Sequence, residues 1–373
     1  MRTVRFGDVA SRLNIHVDQD NTNLEYYVGG EHIDSREFLI TKKAPIKGST
    51  IGYQFQFGFR EGDILFMTKN PHLRKCSLVE FDGLCSIATF VIHSNDENIL
   101  LQKYLLLEMQ TDRFWEYCEA HKSGGVNYFI TWGTLSNYIF DIPDIDIQKK
   151  SADKAWAAYE LKLSYRDMIK ATDEMLKSQF IEMLKGKAIN GTISDLVAPK
   201  IANVKKTYSH DDTIQYIDIS SINAEDHSVS QVTEYSVKNA PSRAQQCVKY
   251  GDLLVSTVRP INRNIAIVDK DLDNLVASTG FCVLRPNDGM LNYLLSIVLS
   301  DDFTNAMCDK ANGGVYPAVN NGDVLNYQIH IPDDDLAKRA SLVRQQADKS
   351  KFELKQSIEA IDKVIKSLIN ENL

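Results

Sequence analysis

The chain has 373 residues, 43% of them apolar and 25% charged. Those are the values of an ordinary globular protein long enough for two or more full cores, which excludes a disordered or fibrous chain. The formal net charge of −8 argues on its face against a nucleic-acid partner, although a sum does not say where the charges lie. No apolar run approaches the ~20 residues of a bilayer span, and the opening MRTVRFGDVA lacks the apolar centre of a signal peptide, so a cytoplasmic protein without a membrane partner is expected. The six cysteines (76, 85, 118, 247, 282 and 308) include no C-x-x-C, and the histidines no H-x-x-x-H. Reduced, buried thiols are expected rather than a disulfide or zinc framework, with no metal site.

In chain order, Phe6-Gly7-Asp8-Val9 reads as a short strand or turn, followed by an apolar run at Tyr26-Tyr27-Val28 that returns at Tyr216-Ile217-Asp218. From Gly62 the chain repeats itself at a spacing of 189 positions: Gly62-Asp63-Ile64-Leu65 matches Gly251-Asp252-Leu253-Leu254, and Pro71, Arg74 and Val79 match Pro260, Arg263 and Val268. Strand, basic loop, strand is the simplest reading of both. The runs opened by Ser86 and Ser278 lie three residues out of that spacing, which implies a small insertion near 269–275. A helical stretch around Leu101–Cys118 is matched by Leu291–Cys308. Gly124-Gly125-Val126 then lies over Gly313-Gly314-Val315, and Ile142-Pro143 over Ile331-Pro332.

A long helix is expected from Ala152 to Leu184, and it returns at the C-terminus, where Ala171, Asp173, Lys177 and Ser178 recur as Ala360, Asp362, Lys366 and Ser367. Leu354, Ile358, Ile361, Ile365 and Leu368 form a coiled-coil seam; Tyr165, Ile169, Thr172, Leu176 and Gln179, with Phe180 beside it, keep that seam less cleanly. A stripe of this kind is a packing surface, and the obvious partner of each helix is the other. The expected fold is therefore α+β: two tandem mixed α/β domains, each followed by a long helix, the helices forming an antiparallel, pseudo-two-fold coiled coil. The boundaries are 1–148 and 190–337 for the domains, and 149–189 and 338–373 for the helical segments. A period this long is a domain duplication, too long for a solenoid.

Catalytic motifs are weak. Asn70-Pro71-His72-Leu73 lacks the second proline and the aromatic of the N-P-P-aromatic set with which amino methyltransferases hold a flipped base. Pro143-Asp144 with Asp146 and Lys149, and Pro332-Asp333 with Asp335 and Lys338, hint at a nuclease acid cluster, but they stand just before helices, where acidic N-capping accounts for them. No glycine-rich cofactor loop or G-x-x-x-x-G-K-[ST] loop is found.

Two loops per copy suit a ligand better. Lys69, Asn70, His72, Arg74 and Lys75 in the first copy, and Arg259, Asn262, Arg263 and Asn264 in the second, sit on proline-stiffened turns. Arginine and asparagine can read guanine and adenine edges, and lysine neutralises phosphate, although a charged hairpin is more often simply solvated. The Gly-Gly loops add Lys122, Asn127 and Tyr128 in the first copy and Tyr316 in the second. Paired glycines permit close backbone approach to a ligand, and a turn of positive φ explains them equally well. Their occurrence at matched places in both copies suggests two equivalent reading heads.

G-D-[IL]-L, the Pro/Arg loop, the Gly-Gly-Val loop and the Ile-Pro-Asp entry to a long helix, all repeated, resemble the specificity subunit of type I restriction-modification systems over the full length. The resemblance implies a non-catalytic protein with two target-recognition domains, one for each half of a bipartite double-stranded DNA site, on helices that dock two methyltransferase subunits. It further implies that S-adenosylmethionine and ATP bind those subunits and two restriction subunits, with no cofactor in this chain. The basic loops carry over as DNA contacts. The rival readings are a self-contained methyltransferase or nuclease, and a two-headed scaffold that binds protein or carbohydrate on a coiled coil.

If the helices act as a ruler, seven residues inserted after Lys170 and after Glu359 keep the seam in phase and lengthen the rod by about 10.5 Å, or about three base pairs. Methylation in the reconstituted complex should weaken and move to longer spacers between unchanged half-sites; residual methylation at the original spacer would refute the ruler.

Overall fold

The computed structural model describes residues 1–314 and 317–371. It divides into two compact units, one formed by residues 1–167 with the chain from Leu354 onward, the other by residues 168–353.

In the first unit, Arg2–Arg5 pairs antiparallel with Ile139–Ile142, and Phe6–Val9 is a single helical turn rather than a strand. A four-stranded sheet runs Ala10–Leu13, Thr89–Ser94, Ile64–Met67, Cys76–Leu78. Its strand Ile64–Met67 is apolar throughout because both faces are covered. The Phe66 ring lies 5.5 Å from Trp115 and 6.2 Å from Phe90. A second sheet runs Ile15–His16, Phe55–Phe59, Gly83–Ser86, Tyr26–Val28, Ala44–Pro45.

The second unit repeats this plan. Gly191–Thr192 pairs with Gln328–Ile329, Leu253–Ser256 lies between Ile265–Ile267 and Phe281–Leu284, and a further sheet runs Thr233–Ser236, Thr213–Ile217, Leu275–Ser278, Ala244–Cys247. The parallel pairing of Tyr27 with Leu84 recurs as Tyr216 with Val276. These partners confirm the three-residue insertion before Leu275. The expected single helical stretch is in fact two helices in each unit, Gln102–Gln110 with Asp112–Ala120 and Leu291–Val298 with Asp301–Lys310. The break falls at Thr111 and Ser300, whose side chains accept hydrogen bonds from Phe114 N and Phe303 N and so cap the second helix.

The long helices are Ile145–Leu184 and Asp334–Glu371, of 40 and 38 residues, about 60 Å each. Both begin earlier than expected. The Asp333 carboxylate caps Leu336 N at 2.8 Å, and the Gln148 amide donates to Pro143 O and Ile99 O while accepting from Leu101 N. The expected acidic cap is thus seen at Asp333, whereas the entry of the first long helix is held by the Gln148 amide.

Each unit takes the start of one long helix and the end of the other. In the first, Ile365 and Ile369 are buried with Ala152, Ala155, Trp156 and Tyr159. In the second, Phe180 is buried with Leu336 and Ala340, and it is Phe180 rather than the exposed Gln179 that ends the seam. Within each unit the segments are therefore antiparallel and cross-linked by one recurring pair, Lys162 to Asp362 at 2.6 Å in the first and Lys351 to Asp173 at 2.8 Å in the second. Lys162 and Asp173 recur as Lys351 and Asp362 at the spacing of the duplication, so each bridge joins opposite repeats.

The units differ beside that bridge. Phe38 O and His227 O hold matched places, accepting from Leu78 N and Ile267 N. Phe38 stacks on Tyr159, with ring centroids 4.7 Å apart, and its neighbour Glu37 accepts from Lys162, both Arg166 terminal nitrogens and the Tyr159 hydroxyl, all within 3.0 Å. Burial would raise the Glu37 carboxyl, but the hydrogen bonds and charges of Arg166 and Lys162 outweigh it and hold it below its usual range. His227 is lowered as well, but first by burial and then by Arg344 and Lys351.

Both shifts are depressions, so in both cases the unfolded chain binds more protons and stability falls as pH falls. Unit two should loosen first, as pH drops through the ordinary histidine range, and the Glu37 contribution should be lost only below the ordinary carboxylate range. Amide hydrogen exchange at Ile267 and Leu78 against pH checks the order, and His227→Gln should remove the first step. Glu37→Gln should cost about 2–3 kcal/mol, less than a fully buried broken pair, because Arg166 is partly exposed and Asp362 still faces Lys162.

Candidate nucleic-acid interface

The basic turns are built identically in the two units. After Ile64–Met67 and before Cys76–Leu78, Asn70 is left-handed at φ 54°, Pro71–Leu73 makes one 3-10 turn, and Arg74 is left-handed at φ 50°. In the second unit Arg259 has φ 49°, Pro260–Asn262 makes the turn, and Arg263 has φ 49°. Proline supplies the fixed φ at the start of each turn. A left-handed non-glycine residue costs of order 1–3 kcal/mol and persists only where its surroundings impose it.

The Gly-Gly loop supplies part of those surroundings. It closes on itself through Ser123 N to Phe129 O and Phe129 N to Ser123 O, at 2.8 and 2.9 Å. It then grips the turn through Asn70 N to Tyr128 O and Ile130 N to Thr68 O, both 2.9 Å. The same four bonds recur as Asn312 N to Ala318 O, Ala318 N to Asn312 O, Arg259 N to Pro317 O and Val319 N to Thr257 O. The two loops expected separately from the sequence are therefore one surface in each unit. Gly124 and Gly313 have φ of 96° and 108°, which is why glycine stands there.

The expected residues divide by what they touch. Lys69, Asn70, His72 and Asn127 are exposed in the first unit, Arg259 and Asn262 in the second, and Tyr128 and Asn264 are half-buried. Tyr316 lies outside the described residues. Lys75 donates to Gly30 O at 2.6 Å. Lys122 pairs with Glu119 at 2.7 Å and lies 4.3 Å above the Tyr128 ring.

Both matched arginines point to a carboxylate. Arg74 donates to Asp112, and Arg263 to Asp301 at 2.5 Å. Each carboxylate also faces a lysine of a long helix, Lys366 at 3.5 Å from Asp112 and Lys177 at 3.7 Å from Asp301. Burial would raise Asp112, but the Arg74 hydrogen bond and the nearby Lys366 outweigh it; Asp301 is lowered first by its hydrogen bond from Arg263. The pairs Arg74 with Arg263 and Lys177 with Lys366 are legible in the sequence; Asp112 and Asp301, absent from the expected site, keep the same spacing of 189 and are legible by the same repeat.

Among the described residues no group of three or more His, Cys, Asp or Glu could hold a metal ion, and no helix is long and apolar enough to cross a membrane. No family model matches the chain. A stretch of 108 residues, 28% of the chain, is 32% identical to the specificity subunit of the type I restriction enzyme HindI of Haemophilus influenzae; it spans only 24% of that relative. The whole chain shares its fold with a chain of a solved type I restriction-modification system, at a TM-score of 0.57, covering 100% of this chain and 98% of that one at 17% identity. A type I S subunit from M. genitalium aligns over 98% of this chain and 95% of its own at 13% identity, with a TM-score of 0.49 too low to define a shared fold. The resemblance expected from the motifs is thus found in sequence and in fold.

Substituting Gly124 with Ala would place a Cβ 2.5 Å from Asn127 O at a positive φ, so the loop must open. Exchange of the Asn70 amide, which is bonded to Tyr128 O, should accelerate by about five-fold, for roughly 1 kcal/mol of strain.

Proposed function

We propose that this chain is the specificity subunit of a type I restriction-modification complex, reading a bipartite double-stranded DNA site and catalysing no reaction itself. The observation that carries the proposal is the twice-built loop pair, with the same turn, the same left-handed residues and the same four backbone bonds in each unit. Two identical frames presenting different side chains are what a reader of two different half-sites requires. Lys69, Asn70, His72 and Asn127 in one head, and Arg259 and Asn262 in the other, supply phosphate neutralisation and base-edge donors and acceptors.

The long helices, drawn from both repeats, are the docking element for two methyltransferase subunits, which carry S-adenosylmethionine; two restriction subunits bring ATP-dependent chemistry. The charge of −8 is then compatible with DNA, because partner subunits provide most of the backbone grip. A two-headed scaffold for protein or carbohydrate would share the duplication, but neither the exposed Lys, Arg, Asn and His on the paired loops nor the relatives speak for it.

Exchanging residues 190–337 for the equivalent segment of a relative should change one methylated half-site and leave the other, as read by sequencing of methylated DNA from a host expressing the complex. Both half-sites changing together would refute the two-head model, and a purified complex indifferent to DNA would favour the scaffold.

A further inference from the structure

We propose that Asp112 and Asp301 are positioning residues that tie each DNA-reading loop pair to the long helix contributed by the opposite repeat, so that Arg74 and Arg263 act through loop placement rather than by touching DNA. This rests on the reading of the chain as a DNA-recognition subunit.

At each carboxylate an arginine and a long-helix lysine meet, and all three groups recur at the spacing of the duplication: Arg74, Asp112 and Lys366 in one unit, Arg263, Asp301 and Lys177 in the other; Asp112 additionally has Arg36 at 3.4 Å. Lys366 belongs to the second repeat but serves the first repeat's loops, and Lys177 does the converse. The backbone explains why an anchor is needed. Arg74 and Arg263 are left-handed residues without the freedom of glycine, and an ion pair with a fixed carboxylate is one way to hold them there. The carboxylates are themselves fixed, because each opens a helix capped by Thr111 or Ser300 and followed two residues later by buried Phe114 or Phe303. Asp112 is held once more where its N–H donates to Asn370 Oδ1 at 2.7 Å, again from the opposite repeat's helix. Because the Gly-Gly loop is bonded to the turn at Asn70 and Arg259, anchoring the turn anchors both loops. A carboxylate beside a DNA-facing loop repels phosphate, so an anchoring role accounts for a feature that direct contact leaves unfavourable.

The two roles for the arginines predict opposite signs. Asp112→Asn in the complex with its methyltransferase subunits should weaken binding to target DNA by about ten-fold or more, as expected for misplaced contacts, without steepening the salt dependence. Methylation should fall at the half-site read by the first unit, and Asp112→Glu should recover most of it. Asp301→Asn should act on the other half-site. If Arg74 instead contacts DNA, releasing it from Asp112 leaves affinity unchanged or tighter, with a salt slope steeper by about one, and that result overturns the proposal. Amide exchange in the free chain gives a second reading that needs no DNA: Asp112→Asn should accelerate exchange at 69–75 and 128–130, and unchanged exchange also overturns it. A wild-type complex that binds no DNA would refute the proposed function instead, while the exchange result still decides whether the carboxylate holds the loops.

Discussion

A lysine and an aspartate that lie on different repeats bind the two long helices together inside each unit, as Lys162 with Asp362 and as Lys351 with Asp173. This exchange is the constraint on which the rest of the structure depends. A globular domain of one repeat cannot complete its core with its own helix alone: Ile365 and Ile369 close the first core, and Phe180 the second. The amphipathic helices give up their apolar stripes to burial, and each buried lysine is paired with a carboxylate that offsets part of the cost of leaving water.

The same exchange extends to the reading surface. Lysines near the ends of the two helices, Lys366 and Lys177, face the carboxylates that hold the loop arginines. Loop, capped helix and long helix therefore share one charge cluster in each unit. In the proposed role this makes the loops part of a rigid element and not free surface hairpins, which is what recognition of a fixed register of bases requires.

The two units solve one packing problem with different chemistry. Where the first seats Phe38 and Glu37 against Tyr159, Lys162 and Arg166, the second seats His227 near Lys351, Arg344 and Asp173. A buried carboxylate among cations is stable as the ion, whereas an imidazole among cations is stable only when neutral. A shared fold thus leaves the two halves with unequal responses to pH.

The sequence by itself determined the duplication, the strand, basic turn and strand, the three-residue insertion, and the seam of the second helix, because register and periodicity are properties of one dimension and survive without contacts. It also picked out the two loops of each copy that lie on one surface, though not the backbone bonds that join them. It placed the helix entries late and merged two helices at Thr111 and Ser300, since whether a threonine or serine caps a helix depends on its own backbone turning out of the helix there. Only the tertiary structure decided that Arg74 and Arg263 are held by Asp112 and Asp301. Arg74 and Asp112 are 38 positions apart in the chain, and the lysines come from the opposite repeat. A charge on a turn reads as available until folding shows which opposite charge lies within hydrogen-bonding distance of it.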